Sequence, residues 1–294
     1  MHFPFLALLL SGLTTAGIYA LAVTGLNLLI LVGGVFYIVF STIVVLCMYF
    51  LWIFSGLFGA NQIIYIPLAI LAGVVLVVLT EPIFRSFGQR KAVIASLVVS
   101  LGLSSIFTDI MTKINSGVAV VFDSNMLSRG TTLGTGLAKI TVGQLVTLLT
   151  SIAIVAGLYY LIYRTKIGRY FRSIAQDSWA AKVNGVPIVR TSIISYVVAG
   201  TLAGVAAVLL AMYVGYAGAD LSAVLSTKVF MIVLLMGMGN LTGCLYGALI
   251  YGVAESFMRA LIPGEWSSVV LYCIIFVAIL LKPQGIFGQK IIAN

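Results

Sequence analysis

The stretch VFYIVFSTIVVLCMYFLWIFSGLF, Val35–Phe58, contains no charged side chain and is long enough for one helix to cross a lipid bilayer. Similar apolar runs recur along nearly the whole chain. They lie at about 5–31, 63–82, 92–112, 141–163, 191–215, 223–237, 242–258 and 266–282, and the runs at 223–237 and 242–258 are short. The sequence therefore predicts an all-α, polytopic transmembrane helical bundle of about 8–9 spans, folded as a single domain over residues 1–294.

The composition also indicates a membrane protein. Of the residues, 62% are hydrophobic and 8% are charged, which leaves too few polar side chains to cover a water-soluble fold. The formal net charge of +9 is spread over short connections rather than along a basic stripe with interleaved aromatic residues, so we predict no nucleic-acid partner. The single histidine, His2, is close to the terminus, and the three cysteines lie inside apolar runs. We therefore predict neither a metal site nor histidine-based catalysis.

The basic residues indicate how the chain is oriented in the membrane. Connections rich in Lys and Arg tend to stay in the cytoplasm, and two connections have this composition. One contains Arg85, Arg90 and Lys91, and the other spans residues 164–190. Between them, residues 113–140 are predicted to be external, either as a plain connector or as a loop that meets an outside partner. The N-terminus is then outside, as a retained first span, and the C-terminus is inside.

The connection at residues 164–190, called the basic segment here, begins with RTKIGRYFRSIAQDSWAAKVNGV. Its pattern predicts one amphipathic helix from Gly168 to Asn184. The Asn-Gly pair at 184–185 would end this helix in a left-handed turn, and Pro187 would prevent its continuation. From the residues alone, the basic segment is either a docking site for a cytoplasmic protein or a basic anchor on anionic lipid.

Glycine residues predict one break between helices and two faces on which helices pack. GMGNLTG, Gly237–Gly243, predicts a break between two short helices, which a membrane tolerates only where protein or a water-filled cavity surrounds it. The break is therefore a candidate for the translocation path, with ordinary helix packing as the alternative. Glycines four residues apart predict faces on which two helices pack closely. They are Gly200 and Gly204 in one run, and Gly239, Gly243 and Gly247 in another.

The basic segment resembles the cytoplasmic coupling segment of ABC importer permeases of the branched-chain amino acid type, whose pattern is close to G-R-x-x-R-A-x-A-E-D-x-x-x-A-x-x-x-G-I. The matching residues are Gly168, Arg169, Arg172, Ala175, Asp177, Ala181 and Gly185, while Gln176 replaces the usual Glu and Ser173 the usual Ala. Four further stretches resemble the family in the same order along the chain. They are SGLTTAGIYALAVTGLNL at 11–28, VVAGTLAGVAAVLL at 197–210, GMGNLTGCLYGALIYGVAES at 237–256 and KPQGIFG at 282–288.

The resemblance implies a permease subunit of a bacterial or archaeal cytoplasmic membrane, without a catalytic site of its own. Two cytoplasmic ATPase subunits would grip the basic segment at the positions that match the pattern and at Gln176, and would use ATP and Mg. The chain has no G-x-x-x-x-G-K-[ST] phosphate loop and therefore no ATP site or other cofactor is expected in it. A second permease subunit, homologous or identical, and an extracytoplasmic solute-binding protein would complete the importer. A secondary transporter or channel that works without ATP is the rival interpretation.

The resemblance also implies a small solute, most simply a branched-chain or other hydrophobic amino acid. Related permeases handle urea, amides, carboxylates, sugars and nucleosides. Where the family usually has N-F-A-H-G after its first span, this chain has Tyr37–Ser41, without the polar Asn and His. This departure widens the choice of solute beyond leucine, isoleucine and valine.

Polar side chains inside the spans are the first candidates for the solute path, because a charge within the bilayer normally faces the bundle interior or water. The candidates are Asn27, Tyr37, Ser41 and Glu255. Glu255 lies eight residues after Gly247 and so projects toward the same side of a helix. For each candidate, a simple helix contact is the alternative. Asp220 and Lys228 are predicted at the outer edge, where they would only mark the membrane interface.

Overall fold

The computed structural model describes residues 5–59, 61–89, 92–122, 132–133, 140–262, 266–282 and 285–286. Within these ranges the helices are α1 Phe5–Gly33, α2 Val39–Phe58, α3 Gln62–Gln89, α4 Val93–Ile114, α5 Val142–Arg164, α6 Lys166–Gln176, α7 Ser178–Val183, α8 Ile188–Val214, α9 Ala219–Met236, α10 Leu241–Leu261 and α11 Trp266–Leu281. The strands are β1 Val120–Val121, β2 Thr132–Leu133, β3 Ile140–Thr141 and β4 Tyr216–Ala217, paired antiparallel as β1 with β4 and β2 with β3.

The predicted polytopic helical bundle is confirmed. In the described part of the chain, eight helices are long and apolar enough to cross a membrane, namely α1 to α5 and α8 to α10, while α11 is a shorter apolar helix. The prediction of two short helices around the glycine-rich break is wrong, because α9 has 18 residues and α10 has 21. Arg85, predicted in a connection, lies on α3, which continues to Gln89. Arg90 and Lys91 lie outside the described residues.

Helix α1 forms the centre of the bundle and packs directly on α10. A Cβ added at Gly252 would lie 2.5 Å from the Cα of Ala16, and one added at Gly12 would lie 3.0 Å from the Cα of Val253. These two glycines therefore allow the backbones of α1 and α10 to approach closely along antiparallel paths. The middle of α1, from Ala16 onward, is almost continuously buried.

Helices α3 and α8 meet in the same way. A Cβ at Gly200 would lie 2.6 Å from the Cα of Val74, and a Cβ at Gly204 would lie 2.5 Å from the Cα of Ile70. The structure thus places this pair of glycines against the backbone of α3, where an added methyl group has no flexible neighbour to displace.

We expect Gly204→Ala to destabilise the protein by about 1–3 kcal/mol, because the new methyl group overlaps the α3 backbone and must force the helices apart. The measurement is the thermal unfolding midpoint of the detergent-solubilised protein. Gly102→Ala on α4 is the matched control, since a Cβ there meets nothing within 4 Å and alanine favours helix. Equal midpoints for the two variants would contradict the close packing of α3 on α8.

The two ends of the bundle differ. At one end, called the ribbon end, Val120 of β1 pairs with Ala217 of β4 and joins the connection after α4 to the one after α8. The opposite end, called the basic end, contains α6 and α7, which precede the start of α8. The C-terminal tail returns to the basic end, where the amide of Ile286 donates a hydrogen bond to the carbonyl of Leu235 at 2.7 Å. Of the connection predicted to be external, residues 123–131 and 134–139 lie outside the described residues.

Candidate functional site

Four polar side chains meet inside the bundle and form the buried ion cluster: Tyr19 of α1, Lys228 of α9, and Glu255 and Arg259 of α10. Lys228 Nζ lies 2.5 Å from Glu255 Oε1, and an Arg259 guanidinium nitrogen lies 2.6 Å from the same oxygen. The Tyr19 hydroxyl donates to Glu255 Oε2 at 2.7 Å and accepts from Lys228 Nζ at 3.2 Å. One carboxylate therefore receives hydrogen bonds from two cations and a phenol.

The cluster follows from how α9 and α10 pack against each other. Gly247 on α10 faces α9, since a Cβ there would lie 2.3 Å from Met236 Cγ and 3.1 Å from Ile232 Cγ2. Glu255, two turns further along α10, faces the same neighbour and reaches Lys228. The prediction that Lys228 lies at the outer edge is wrong. It follows the first residue of α9 by nine positions, about 13 Å along the helix axis, and only 6% of the residue is exposed.

The ion cluster borders open space within the bundle. Tyr19, Lys228 and Arg259 line a cavity of about 330 Å³, and Glu255 and Arg259 line a second cavity of about 200 Å³. Ionised groups in a membrane interior are expensive unless they are paired or hydrated. The charges of the cluster are paired, and the adjacent cavities leave room for water.

A larger groove, of about 640 Å³, lies between α4 and α9 and is called the α4–α9 groove. Its lining contains six hydroxyl side chains, two carboxylates and six apolar side chains. The hydroxyl groups belong to Ser104, Ser105, Thr108, Ser222, Ser226 and Thr227, and the carboxylates to Asp109 and Asp220. None of the α4 residues was predicted from the sequence to belong to a site. The signal was present as polar residues three and four apart on a helix that is otherwise apolar, at 105, 108, 109 and 112.

The basic segment folds as two helices rather than the single amphipathic helix that was predicted. The break falls at Asp177, whose backbone is extended and whose carboxylate accepts from the amides of Trp179 at 2.8 Å and Ala180 at 3.1 Å. Asp177 therefore caps α7, and a good N-cap residue favours starting a new helix over continuing the old one. The predicted left-handed turn is present, with Gly185 at a φ of 80°.

The residues that match the coupling pattern, together with Gln176, are partly buried against the bundle and partly exposed. Gly168 is buried where α5 turns into α6, and a Cβ there would lie 2.0 Å from the carbonyl oxygen of Ile162. The Arg172 guanidinium lies 5.1 Å from the centre of the Tyr163 ring and so ties α6 to α5. Ala181 is buried. The exposed positions are Arg169, Ala175, Gln176, Asp177 and Gly185.

The four candidates for the solute path lie in different surroundings. Asn27 is buried, and its side-chain oxygen accepts from the amide of Gly239 at 2.8 Å. Tyr37 and Ser41 are buried too, and the Tyr37 hydroxyl shares a hydrogen bond with Thr80. These three residues contact neighbouring parts of the bundle, whereas Glu255 belongs to the buried ion cluster and borders a cavity.

The glycine-rich break lies at the basic end, between Met236 and Leu241. Gly239 has a φ of 85° and belongs to this turn, so only Gly243 and Gly247 of the predicted ladder share helix α10. The tail covers the break, since a Cβ at Gly285 would lie 2.6 Å from the amide nitrogen of Gly237. A role of the break in translocation stays a prediction.

Comparison with known proteins shows which family this chain matches. Residues 8–279 match the family model described as the branched-chain amino acid transport system / permease component. The chain is 24% identical over 299 residues to the high-affinity branched-chain amino acid transport system permease protein BraD of Pseudomonas aeruginosa, covering 98% of this chain and 97% of that protein. It is 30% identical over 152 residues to the corresponding LivH protein of Salmonella typhimurium, covering 52% of this chain and 49% of that protein.

A relative with another named solute also matches. The chain is 24% identical over 241 residues to the fructose import permease protein FruG of Bifidobacterium longum, covering 76% of this chain and 68% of that protein. No solved structure matches the chain significantly.

Proposed function

Because the chain belongs to the family of branched-chain amino acid transport system permease components, we propose that it is the membrane-spanning subunit of an ATP-driven importer. The solute is a small molecule, in the first place a branched-chain or other hydrophobic amino acid, delivered by an extracytoplasmic binding protein. The chain has no catalytic site of its own, and the ATPase subunits hydrolyse ATP with Mg. Urea, amides, carboxylates, nucleosides and sugars are the alternative solutes, and the fructose permease relative favours keeping sugars among them.

The observation that carries this proposal is the exposed surface of the basic segment. Trp179 is 73% exposed on α7, and Val183, also exposed, lies one turn further along the same short helix. The same segment also exposes cationic side chains such as Arg169 and Lys182. Exposed large apolar residues are typical of a protein interface rather than of a surface that faces water alone. Two cytoplasmic ATPase subunits, one for each of two permease subunits, are the partners that this surface would engage.

The distribution of charge supports a cytoplasmic position for the basic end. Among the described residues, the Lys and Arg side chains at the basic end are Arg85, Arg164, Lys166, Arg169, Arg172, Lys182, Arg190 and Lys282. At the ribbon end the same ranges contain Lys113, while Lys228 and Arg259 are part of the buried ion cluster. By the positive-inside rule the basic end faces the cytoplasm, which puts the N-terminus outside and the C-terminus inside.

The ribbon end is then the surface that receives the binding protein. Val121 of β1 and Tyr216 of β4 are both exposed there, and a short ribbon that joins two connections offers a fixed platform for docking. The second permease subunit, identical or homologous to this chain, completes the membrane-spanning part of the importer.

The test begins with the tagged chain purified in mild detergent from its native membranes, followed by identification of the co-purifying proteins by mass spectrometry. The complex is then reconstituted in liposomes with its binding protein, and uptake of labelled leucine and fructose is measured with and without enclosed ATP. An ATPase, a second permease subunit and ATP-dependent uptake are the expected results. Recovery of the chain alone, together with uptake that persists without ATP, would instead establish a self-sufficient carrier or channel.

A further inference from the structure

Helix α5 lies at the edge of the bundle, because few of its side chains are buried although it is apolar enough to cross a membrane. One exposed stripe follows the helix, with residues three and four apart: Leu149, Ile152, Ala156, Tyr159 and Tyr163. The stripe is apolar in the middle of the helix and aromatic toward the basic end. Tyrosine is enriched at the level of the lipid headgroups, where its ring packs and its hydroxyl group is hydrated. The stripe therefore has the polarity of a surface that faces one leaflet of the bilayer.

Three cations lie at the basic end of this stripe. Arg164 is the last residue of α5, Lys166 is the first residue of α6, and both are exposed. The Arg172 guanidinium lies 5.1 Å from the centre of the Tyr163 ring, and the centres of the Tyr159 and Tyr163 rings are 4.6 Å apart. These five residues, Tyr159, Tyr163, Arg164, Lys166 and Arg172, are called the tyrosine–cation corner.

No carboxylate neutralises the tyrosine–cation corner. Within the described ranges, none of its three cations forms an ion pair with an acidic side chain. From residue 142 to residue 190 the sequence contains one acidic residue, Asp177, and its carboxylate caps α7. Cations at the surface of a membrane attract the anionic groups of its lipids. The tyrosine–cation corner therefore has the charge to hold an anion, and the apolar stripe beside it has the surface to hold a hydrocarbon chain.

Charge and depth decide between a lipid and a protein as the occupant. A second copy of this chain, in a two-fold contact, would bring the same cations to the interface, where like charges repel. A cytoplasmic subunit can approach Arg164, but Ile152 and Leu149 lie about 18 and 22 Å further along the helix axis, inside the bilayer. A phospholipid of net negative charge matches both parts, because its phosphate meets the cations while its chains cover the stripe.

We propose that the tyrosine–cation corner binds an anionic phospholipid, such as phosphatidylglycerol, in preference to zwitterionic lipids. Arg164, Lys166 and Arg172 hold the phosphate, the two tyrosine rings pack on the glycerol region, and one acyl chain follows the stripe. The exposed surface of α7 stays available to an ATPase, because the extended backbone at Asp177 separates α7 from α6. The lipid site does not depend on the importer function, since it requires only that α5 spans the membrane.

The first test identifies the molecule that contacts the tyrosine–cation corner. Tyr159 is replaced by the photoreactive residue p-benzoylphenylalanine, and the protein is purified with its subunits into nanodiscs that contain equal amounts of phosphatidylglycerol and phosphatidylcholine with the same acyl chains. After illumination, mass spectrometry measures the ratio of the two lipid adducts and detects any peptide adduct. The same replacement of Tyr246 on α10 is the matched control, because Tyr246 is exposed and lies five residues from the basic end of its helix, as Tyr159 does.

We expect the ratio of phosphatidylglycerol to phosphatidylcholine adducts at position 159 to exceed the ratio at position 246 by about tenfold. Arg164→Gln with Lys166→Gln should lower the ratio at position 159 severalfold, and adding Arg172→Gln should make the two positions equal. Equal ratios at the two positions while all three cations are present would overturn the proposal. So would an adduct to an ATPase or to a second permease subunit as the main product at position 159.

The second test needs no photoreactive residue. Phosphatidylglycerol with short acyl chains, added to the protein in a neutral detergent, should raise the thermal unfolding midpoint more than phosphatidylcholine of the same chain length. The difference should disappear in the triple glutamine variant, and free glycerol phosphate should give no shift because it has no chain to cover the stripe. Equal shifts from both lipids, or the full shift from glycerol phosphate, would overturn the proposal. Neither test measures uptake, so a failure here is distinguishable from a failure of ATP-dependent uptake, which would instead remove the importer function.

Discussion

Replacing Glu255 with alanine is expected to lower the free energy of unfolding by about 3–5 kcal/mol, because it leaves Lys228 as an unpaired charge inside the bundle. Glu255 is 3% exposed and receives hydrogen bonds from Lys228, Arg259 and Tyr19. The measurement is the thermal unfolding midpoint in detergent, together with the amount of folded protein recovered from membranes. We expect a clear loss in both.

The double variant Glu255→Leu with Lys228→Met is the informative companion, because it removes both members of the most buried pair. Replacing a buried ion pair by apolar residues of similar volume is often neutral or stabilising, so the double variant should recover most of the lost stability. Arg259→Gln should cost much less than Glu255→Ala, because the Arg259 side chain is 47% exposed and a solvated pair contributes about 0–1 kcal/mol. A double variant as unstable as Glu255→Ala would contradict the pairing.

The ion cluster also shows what one sequence can and cannot predict. The spacing of Gly247 and Glu255 was sufficient to place both on one side of a helix, because helical geometry is local. The depth and the partner of Lys228 depend instead on how far α9 extends and on its antiparallel register with α10. Both are properties of tertiary packing. The predicted short run at 223–237 began too late along the chain and so placed Lys228 near an edge.

The difference between local helical geometry and tertiary packing also explains which other features of the fold were predicted. Apolar runs predicted the spans because the bilayer imposes one length on every crossing helix. The break at Asp177 was missed, although Asp is a favoured N-cap residue, because the surrounding pattern also fits a continuous helix. The α4–α9 groove was missed because nothing in the sequence states which faces of two helices, separated by more than a hundred residues, meet.

Replacing Trp179 with alanine is expected to abolish most ATP-driven uptake, by tenfold or more, while the protein stays folded in the membrane. Trp179 is largely exposed at the start of α7, and interface hot spots, among which Trp is enriched, cost about 2 kcal/mol or more of binding free energy when they are truncated to alanine. The measurements are uptake in proteoliposomes and the ratio of ATPase to permease after purification. Tyr160→Ala is the matched control, because that aromatic residue is 64% exposed on the apolar helix α5.

Variants of Asp177 and Arg172 distinguish a direct contact with the ATPase from a role in positioning the docking surface. A double replacement of these residues is predicted to uncouple transport while leaving the protein in the membrane, but the structure gives each a role within the subunit, as the cap of α7 and the contact with Tyr163. If Asp177 acts as a cap, Asp177→Asn should keep uptake near normal, whereas Asp177→Ala should lose about 1 kcal/mol of helix stability and part of the uptake. Equal loss in both would mean that the charge itself contacts the ATPase. Normal uptake in the double variant and in Trp179→Ala would show that the basic segment is a lipid anchor.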